Sequence, residues 1–191
     1  MTIHFGTVFF AVTMIWLVAE IAFTSFKRAA DDAHVRQDRG TLRWINVAIY
    51  VSIPFAFWLS TLKMGRFPPD LYWIRWLGIA LIIGGSIIKW SAVYQLRKQF
   101  TVDVAIVSGH SLIFSGIYRR LRHPSYLGAL TSFCGLGVAL GNPFSILALM
   151  VPITLAFLNR IRVEEVVLSA AFPEEYPAYK RSSWALIPFI Y

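Results

Sequence analysis

The sequence predicts an all-α integral membrane protein with about five transmembrane helices. Three observations predict it: an apolar composition, five long apolar runs, and a lopsided placement of basic residues. Hydrophobic residues make up 57% of the 191 residues and charged residues 15%, against roughly 45–50% and about 25% in a typical soluble domain. Mean hydropathy is +0.60. These values exclude a disordered chain, a disulfide scaffold and a water-soluble globule. The length suits a single domain, residues 1–191. The lone cysteine, Cys134, excludes an intrachain disulfide and a multi-cysteine metal site. It stands in an apolar run and reads as a small hydrophobe. Eighteen basic residues against ten acidic ones give a net charge of +8. In a membrane protein that excess points to anionic headgroups and a fixed topology rather than to nucleic acid.

A bilayer core of ~30 Å needs about 20 apolar residues as helix. Thr7 to Phe26 supplies the first run, interrupted by Glu20, which stands near its end and within reach of water. No Lys or Arg precedes that run and no small-residue cleavage site follows it, so it reads as a retained anchor rather than a signal peptide. Trp44 to Leu62 is the second run and contains no charge. Leu71 to Ile88 is the third, with Arg75 near its start. Residues 1–90 thus hold three N-terminal helices. Tyr126 to Leu140 and Phe144 to Leu158 are the fourth and fifth, separated by the turn signal Gly141-Asn142-Pro143. They predict a helical hairpin over 124–159, inside a second half at 91–191. Gly137 and Gly141, and Gly84-Gly85-Ser86, read as sites of close helix packing. The aromatic tail from Trp184 to Tyr191 is expected along the membrane interface.

Five spans place three basic segments on one side, with fifteen of the eighteen basic residues; Lys63, Arg66 and Arg75 are left for the other. The positive-inside tendency then puts the N-terminus outside and the C-terminus in the cytoplasm.

Polar residues gather in the second half. After Gln95, Arg97 and Lys98 the chain runs through an alternating stretch, Thr101 to Val107, and a turn at Ser108-Gly109-His110. A second turn, Gly116-Ile117-Tyr118, precedes Arg119-Arg120-Leu121-Arg122-His123-Pro124-Ser125-Tyr126. Pro124 suits the first turn of a helix, where its missing N–H costs nothing. His123 then stands near the cap, where free N–H groups and the helix dipole favour an anion. Beyond the fifth run, Arg160 and Glu164 share a helix face at i,i+4, with Glu165 beside them. Spacing alone fits an amphipathic exit helix with a surface ion pair as well as a site. The hairpin returns both clusters to one membrane face, and that convergence suggests a site. His110 and His123 have no third histidine nearby, so no metal site is expected.

These residues resemble the isoprenylcysteine carboxyl methyltransferases and the related phospholipid methyltransferases. The string Gly116-x-Tyr118-x-x-x-Arg122-His123-Pro124-x-Tyr126 carries the resemblance, with His110-x-Leu112 before it and Arg160-x-x-x-Glu164-Glu165-x-x-Leu168 after the hairpin. Phe172-x-x-Glu175-Tyr176-x-x-Tyr179 completes it. The resemblance implies S-adenosyl-L-methionine as methyl donor, a lipid-like acceptor entering from the bilayer, and a cytoplasmic C-terminal cofactor-binding region. It implies cofactor contacts from His110, Ser111, Leu112, Ile113 and Tyr118, from His123, Pro124, Ser125 and Tyr126, and from Glu164 and Glu165. Arg160 is implied as substrate-binding, and Arg160 and Glu164 as catalytic. Arg162-Val163 before the acid pair and Phe172-Pro173 depart from the pattern of many members.

A carboxylate acceptor is ionised at pH 7 and needs no base, whereas an amine acceptor must lose a proton, to Glu164 or Glu165. Carboxyl methylation of an isoprenylcysteine-like substrate is the leading reading. Its alternatives are N-methylation of an amino phospholipid and a non-enzymatic membrane scaffold. The sequence is silent on the acceptor's identity, its entry path and the oligomeric state.

Overall fold

The computed structural model describes residues 4–30, 40–96 and 112–189. Each apolar run forms a helix: α1 (Phe5–Ala30), α2 (Gly40–Thr61), α3 (Ile74–Leu96), α4 (Pro124–Leu140) and α5 (Pro143–Ala171). A short helix follows, α6 (Glu175–Ser182). By length and composition α1, α2, α3 and α5 are able to cross a membrane, while α4 is a shorter apolar helix of 17 residues. Single 3-10 turns at Pro69–Leu71 and Gly116–Arg119 lead towards α3 and α4. No strand occurs among the described residues, apart from one isolated bridge between Leu121 and Trp184.

The helices lie side by side in the order α3, α4, α5, α2, and α1 rests mainly on α3. Glycine sets the closest approach. A Cβ at Gly78 would meet Ala139 N at 2.4 Å, and one at Gly85 would meet Gly128 O at 2.4 Å. Gly128 and Gly135 face back on Gly85 and Gly78 in turn. Four small residues therefore let the α3 and α4 backbones touch, which is how helices gain packing energy where burial from water is not available. Gly84, expected to share that role, meets nothing within 4 Å. Gly137 packs on Ile146 of α5 instead. Gly141 has φ 74° and closes α4 as a left-handed cap.

Asn142 then opens α5. Its Oδ1 accepts from Phe144 N at 2.9 Å, and its Nδ2 donates to Leu59 O and Met64 O at 3.1 and 3.0 Å. One buried amide thus caps a helix and ties the hairpin turn to the end of α2. Along α2 and α5, Ser145 donates to Ala56 O at 2.7 Å. Trp16 of α1 meets Phe133 of α4 edge-on, with ring centroids 5.2 Å apart. Lys89 of α3 donates to Glu20 of α1, so the one acid of the first run is paired across two helices.

α5 runs well beyond the apolar stretch that predicts it. At ~1.5 Å per residue, Glu164 stands about 30 Å along the helix from Pro143, at the thickness of a hydrocarbon core. The polar turns of α5 therefore come level with the start of α4. The tail from Trp184 packs back against the entry to α4, while Phe189 near its end stays exposed. Arg122 N and His123 N donate to Trp184 O and Ala185 O at 2.9 and 3.0 Å, and Ala185 and Leu186 are buried. Unpaired backbone groups just before α4 are satisfied by that tail rather than by water.

Candidate functional site

The start of α4 and the far end of α5 meet. His123 is the N-cap of α4, Pro124 is buried at its first position, and Tyr126 follows on the same turn. Arg160, Glu164 and Glu165 occupy successive turns of α5. The imidazole of His123 lies between the two acids: Nδ1 is 3.3 Å from Glu164 Oε2, and Nε2 is 3.6 Å from Glu165 Oε1. Glu164 Oε1 accepts from the Tyr126 hydroxyl at 2.5 Å and from Arg160 Nε at 3.0 Å. The Tyr126 ring packs between His123 and Phe157, with centroids 5.9 and 4.9 Å away.

Glu165 faces the other way. Its Oε1 accepts from Arg122 Nε at 2.8 Å, and Lys180 Nζ of α6 lies 2.6 Å from its Oε2. Arg122 also donates to the carbonyls of Lys180 and Ser183, which anchors α6 and the tail beside the site. All four oxygens of the acid pair therefore have a donor within reach.

Burial orders these groups. The side chain of Arg160 is 1% exposed and that of Glu165 9%, while Glu164 is 21% exposed. Glu164 thus marks the open edge of the cluster. Arg160 Nη1 donates to Thr41 Oγ1 of α2 at 3.0 Å, so a helix from the N-terminal half fixes the guanidinium. Burial by itself disfavours the charged form of His123, yet the hydrogen bonds and charges of Glu164 and Glu165 outweigh it and raise its pKa above the usual value. Burial pushes the Tyr118 phenol up, with Tyr179 and Glu164 adding to it, so Tyr118 is neutral in the physiological range.

The expected site residues divide as follows. His123, Tyr126, Arg160, Glu164 and Glu165 form one contiguous cluster. Tyr118 is buried behind it and donates to Ala92 O at 3.3 Å, and its own carbonyl accepts from Tyr179. Pro124 is buried and Ser125 half-buried at the start of α4. Leu112 and Ile113 lie half-buried in the segment entering the 3-10 turn, which Phe114 pins to α6 through Tyr179 at 4.9 Å. His110 and Ser111, with the stretch from Thr101 to Val107, fall outside the described residues. His123 stands at the cap as expected, and the carboxylates its ring faces are those of Glu164 and Glu165.

Sequence reasoning passes over three residues. Thr41 is a lone hydroxyl at the start of α2 and carries no motif. Arg122 stands inside the quoted string, yet its tie to Glu165 needs the folded hairpin. Lys180 differs in nothing from an ordinary surface lysine until α6 folds back.

Residues 73–175 match the family model described as phospholipid methyltransferase. The chain is 35% identical over 121 residues to protein-S-isoprenylcysteine O-methyltransferase A of Arabidopsis thaliana, covering 62% of this chain and 61% of that protein. It is 30% identical over 146 residues to the protein-S-isoprenylcysteine O-methyltransferase of Homo sapiens, covering 74% of this chain and 51% of that protein. A solved structure of a eukaryotic intramembrane Ras methyltransferase, an isoprenylcysteine carboxyl methyltransferase, superposes with a TM-score of 0.64 at 28% identity, covering 76% of this chain and 52% of that one. The chain therefore spans between about half and two thirds of the length of these relatives. The matched stretch contains the α3–α4 glycine seam, the His123 cap and the acid pair of α5, and on these grounds the chain is an integral membrane protein that belongs to the phospholipid methyltransferase family.

Proposed function

We propose that the chain transfers a methyl group from S-adenosyl-L-methionine to the carboxylate of a lipid-like, isoprenylcysteine-like acceptor at the membrane interface. The relatives named isoprenylcysteine methyltransferases support the reaction class. The observation that carries the carboxyl reading is the state of the acid pair. Each oxygen of Glu164 and Glu165 already faces a donor: Tyr126 and Arg160, His123, Arg122, Lys180. Acids so engaged serve to hold groups in place rather than to take up a proton. A carboxylate acceptor, ionised at pH 7, asks for no base. An amine acceptor does, and among the described residues none of the clustered acids stands uncommitted.

The donor fits what the site offers. When bound, S-adenosyl-L-methionine supplies a methyl carbon on a sulfonium sulfur that departs as a neutral thioether. The exposed edge of Glu164 suits its ammonium or ribose hydroxyls. Tyr118 and Tyr126 join the cofactor strip by resemblance; the Tyr126 ring is held between His123 and Phe157, and Tyr118 is buried behind it. Leu112, Ile113 and Pro124 suit an adenine ring, and His110, Ser111, Ser125 and Glu165 complete the cofactor strip by resemblance. His123 Nε2 is buried and has only the 3.6 Å ion pair to Glu165, with no hydrogen bond among the described residues, so it keeps donor capacity for a ligand.

The work of the chain is positioning. His123, Tyr126 and Arg160 fix the rotamer of Glu164. Arg160, through its planar donor fork, orients the acceptor carboxylate. Aligning nucleophile and methyl carbon while excluding water supplies several kcal/mol of the barrier in well-ordered reactions. The distribution of basic residues supports a cytoplasmic position for this face and the C-terminus, with the N-terminus outside.

The test is transfer of a labelled methyl group by the purified chain in lipid vesicles. The acceptors are an S-prenylated cysteine, a fatty acid and phosphatidylethanolamine. The expected product is a base-labile methyl ester on the prenylated cysteine. Base-stable label on phosphatidylethanolamine alone overturns the carboxyl reading in favour of amine methylation. No binding of S-adenosylhomocysteine by calorimetry overturns the enzyme reading in favour of a scaffold.

A further inference from the structure

At the end of the bundle away from the acid pair, a cavity of about 310 Å³ opens between α1, α2 and α3, beside the α4–α5 turn. Arg66 and Arg75 both line it, with the hydroxyl-bearing Ser60 and Tyr72 and the rings of Phe9 and Phe57. The length of α4, 17 residues, separates it from His123 by about 25 Å. It is therefore a different place from the site already described.

Arg75 is half-buried and Arg66 exposed, so an anion entering this open pocket would meet both positive charges. Among the described residues neither guanidinium has a carboxylate partner. Arg75 Nε donates to Ala139 O at 2.9 Å, and its guanidinium carbon stands 4.3 Å over the Phe5 ring. Arg66 Nη2 donates to Thr61 O at 3.3 Å from the exposed loop after α2. These contacts orient the two forks without neutralising them.

The level of the pocket identifies what fills it. Trp58, Tyr72, Trp73 and Trp76 are all exposed around this end of α2 and α3. Exposed Trp and Tyr at helix ends mark the headgroup layer of a bilayer. The pocket thus faces headgroups with its arginines and acyl chains with its phenylalanines. We propose that it holds the phosphate of an anionic phospholipid, with the acyl chains lying along Phe9 and Phe57. A net-neutral headgroup would bring a quaternary ammonium to two arginines, and is disfavoured by that repulsion. Basic pockets between membrane helices recognise headgroup phosphate in this way.

The experiment is lipid titration of the full chain in detergent, read by native mass spectrometry. The probes are dioleoylphosphatidylglycerol, dioleoylphosphatidylcholine, dioleoylglycerol and glycerol 3-phosphate. Phosphatidylglycerol is expected to bind most tightly. Arg66→Gln is expected to weaken it about five- to tenfold while leaving dioleoylglycerol and S-adenosylhomocysteine binding unchanged. Lys63→Gln removes the same charge from the same loop but does not line the pocket, and is expected to change little. Equal losses from Lys63→Gln and Arg66→Gln would reduce the effect to general surface charge and overturn the proposal. So would no loss from Arg66→Gln, equal binding of phosphatidylcholine, or binding of glycerol 3-phosphate as tight as that of the lipid.

Discussion

Nδ1 of His123, at the cap of α4, lies 3.3 Å from Oε2 of Glu164, on the last polar turns of α5. The contact closes the hairpin at the end opposite its turn. It joins the two clusters that the sequence leaves far apart, and it decides how the site responds to substitution and to pH.

Replacing His123 by alanine removes from both carboxylates the ring that lies between them. Removing one partner of a buried charged set costs about 3 kcal/mol. His123→Ala is therefore expected to lower the thermal midpoint in detergent clearly, and to weaken S-adenosylhomocysteine by about tenfold or more. A variant with wild-type melting and affinity would show that the ring does not hold the acids.

The same contact makes stability pH-dependent. The pKa of His123 is raised in the folded chain: burial opposes the charge, but the two acids more than compensate. A raised folded value means that the folded state binds the proton more tightly than the unfolded one. The contribution is fully present below the unfolded value of about 6.5 and is lost as pH rises through the higher folded value. Melting profiles of wild type and His123→Gln are expected to converge as pH rises above about 6.5. A gap that widens with pH would reverse the sign and remove the imidazolium from the account.

Much of this was legible because the information is local. Arg160 and Glu164 need only a continuing helix to share a face, with Glu165 beside them, and α5 does continue to Ala171. The turn Gly141-Asn142-Pro143 announces itself through a left-handed cap and a proline at the first helical position. The helix seam was legible only in part, through Gly85. Gly84 faces open space while its neighbour Gly85 touches the α4 backbone, and nothing in a run of apolar residues tells one glycine from the other. The docking of the tail was hidden for a related reason. Its aromatic residues suit an interface, but its backbone pairs with Arg120, Arg122 and His123, and backbone pairing leaves no mark on composition.

That seam gives a prediction with its own control. Gly85→Ala puts a methyl group 2.4 Å from Gly128 O and 2.6 Å from Ser132 N, and both are backbone atoms that cannot turn aside. The helices must separate, and loss of the folded protein in detergent is expected. Gly84→Ala meets nothing within 4 Å and is expected to be neutral or to add up to about 1 kcal/mol through helix propensity. Similar yields and melting points for the two variants would refute the close approach of α3 and α4.

Thr41 supplies a test of how the N-terminal half serves the site. Its Oγ1 is the acceptor for Arg160 Nη1. Thr41→Val keeps the shape and removes the acceptor, which costs about 1–3 kcal/mol when the donor is buried. Methyl transfer is expected to fall, and Thr41→Ser is expected to restore most of it. Equal activity in the valine and serine variants would assign Thr41 to packing alone.

Arg160 itself separates binding from transfer. Glu164 retains Tyr126 and His123 when the guanidinium is changed, so the acid closest to the open edge stays in place. Lysine keeps the positive charge but not the planar fork, and a single ammonium cannot hold Glu164, Thr41 and an acceptor carboxylate in one plane. Losing a bidentate, charge-assisted contact at the reacting group removes about 2–3 kcal/mol of transition-state stabilisation, near a hundredfold in rate. Arg160→Lys is thus expected to depress kcat on a prenylated cysteine by about that factor, with S-adenosylhomocysteine affinity changed by less than about threefold. Parallel losses of affinity and rate would mean that Arg160 acts by holding Glu164 for the cofactor, and the acceptor carboxylate would then have to be oriented by another cation of the cluster.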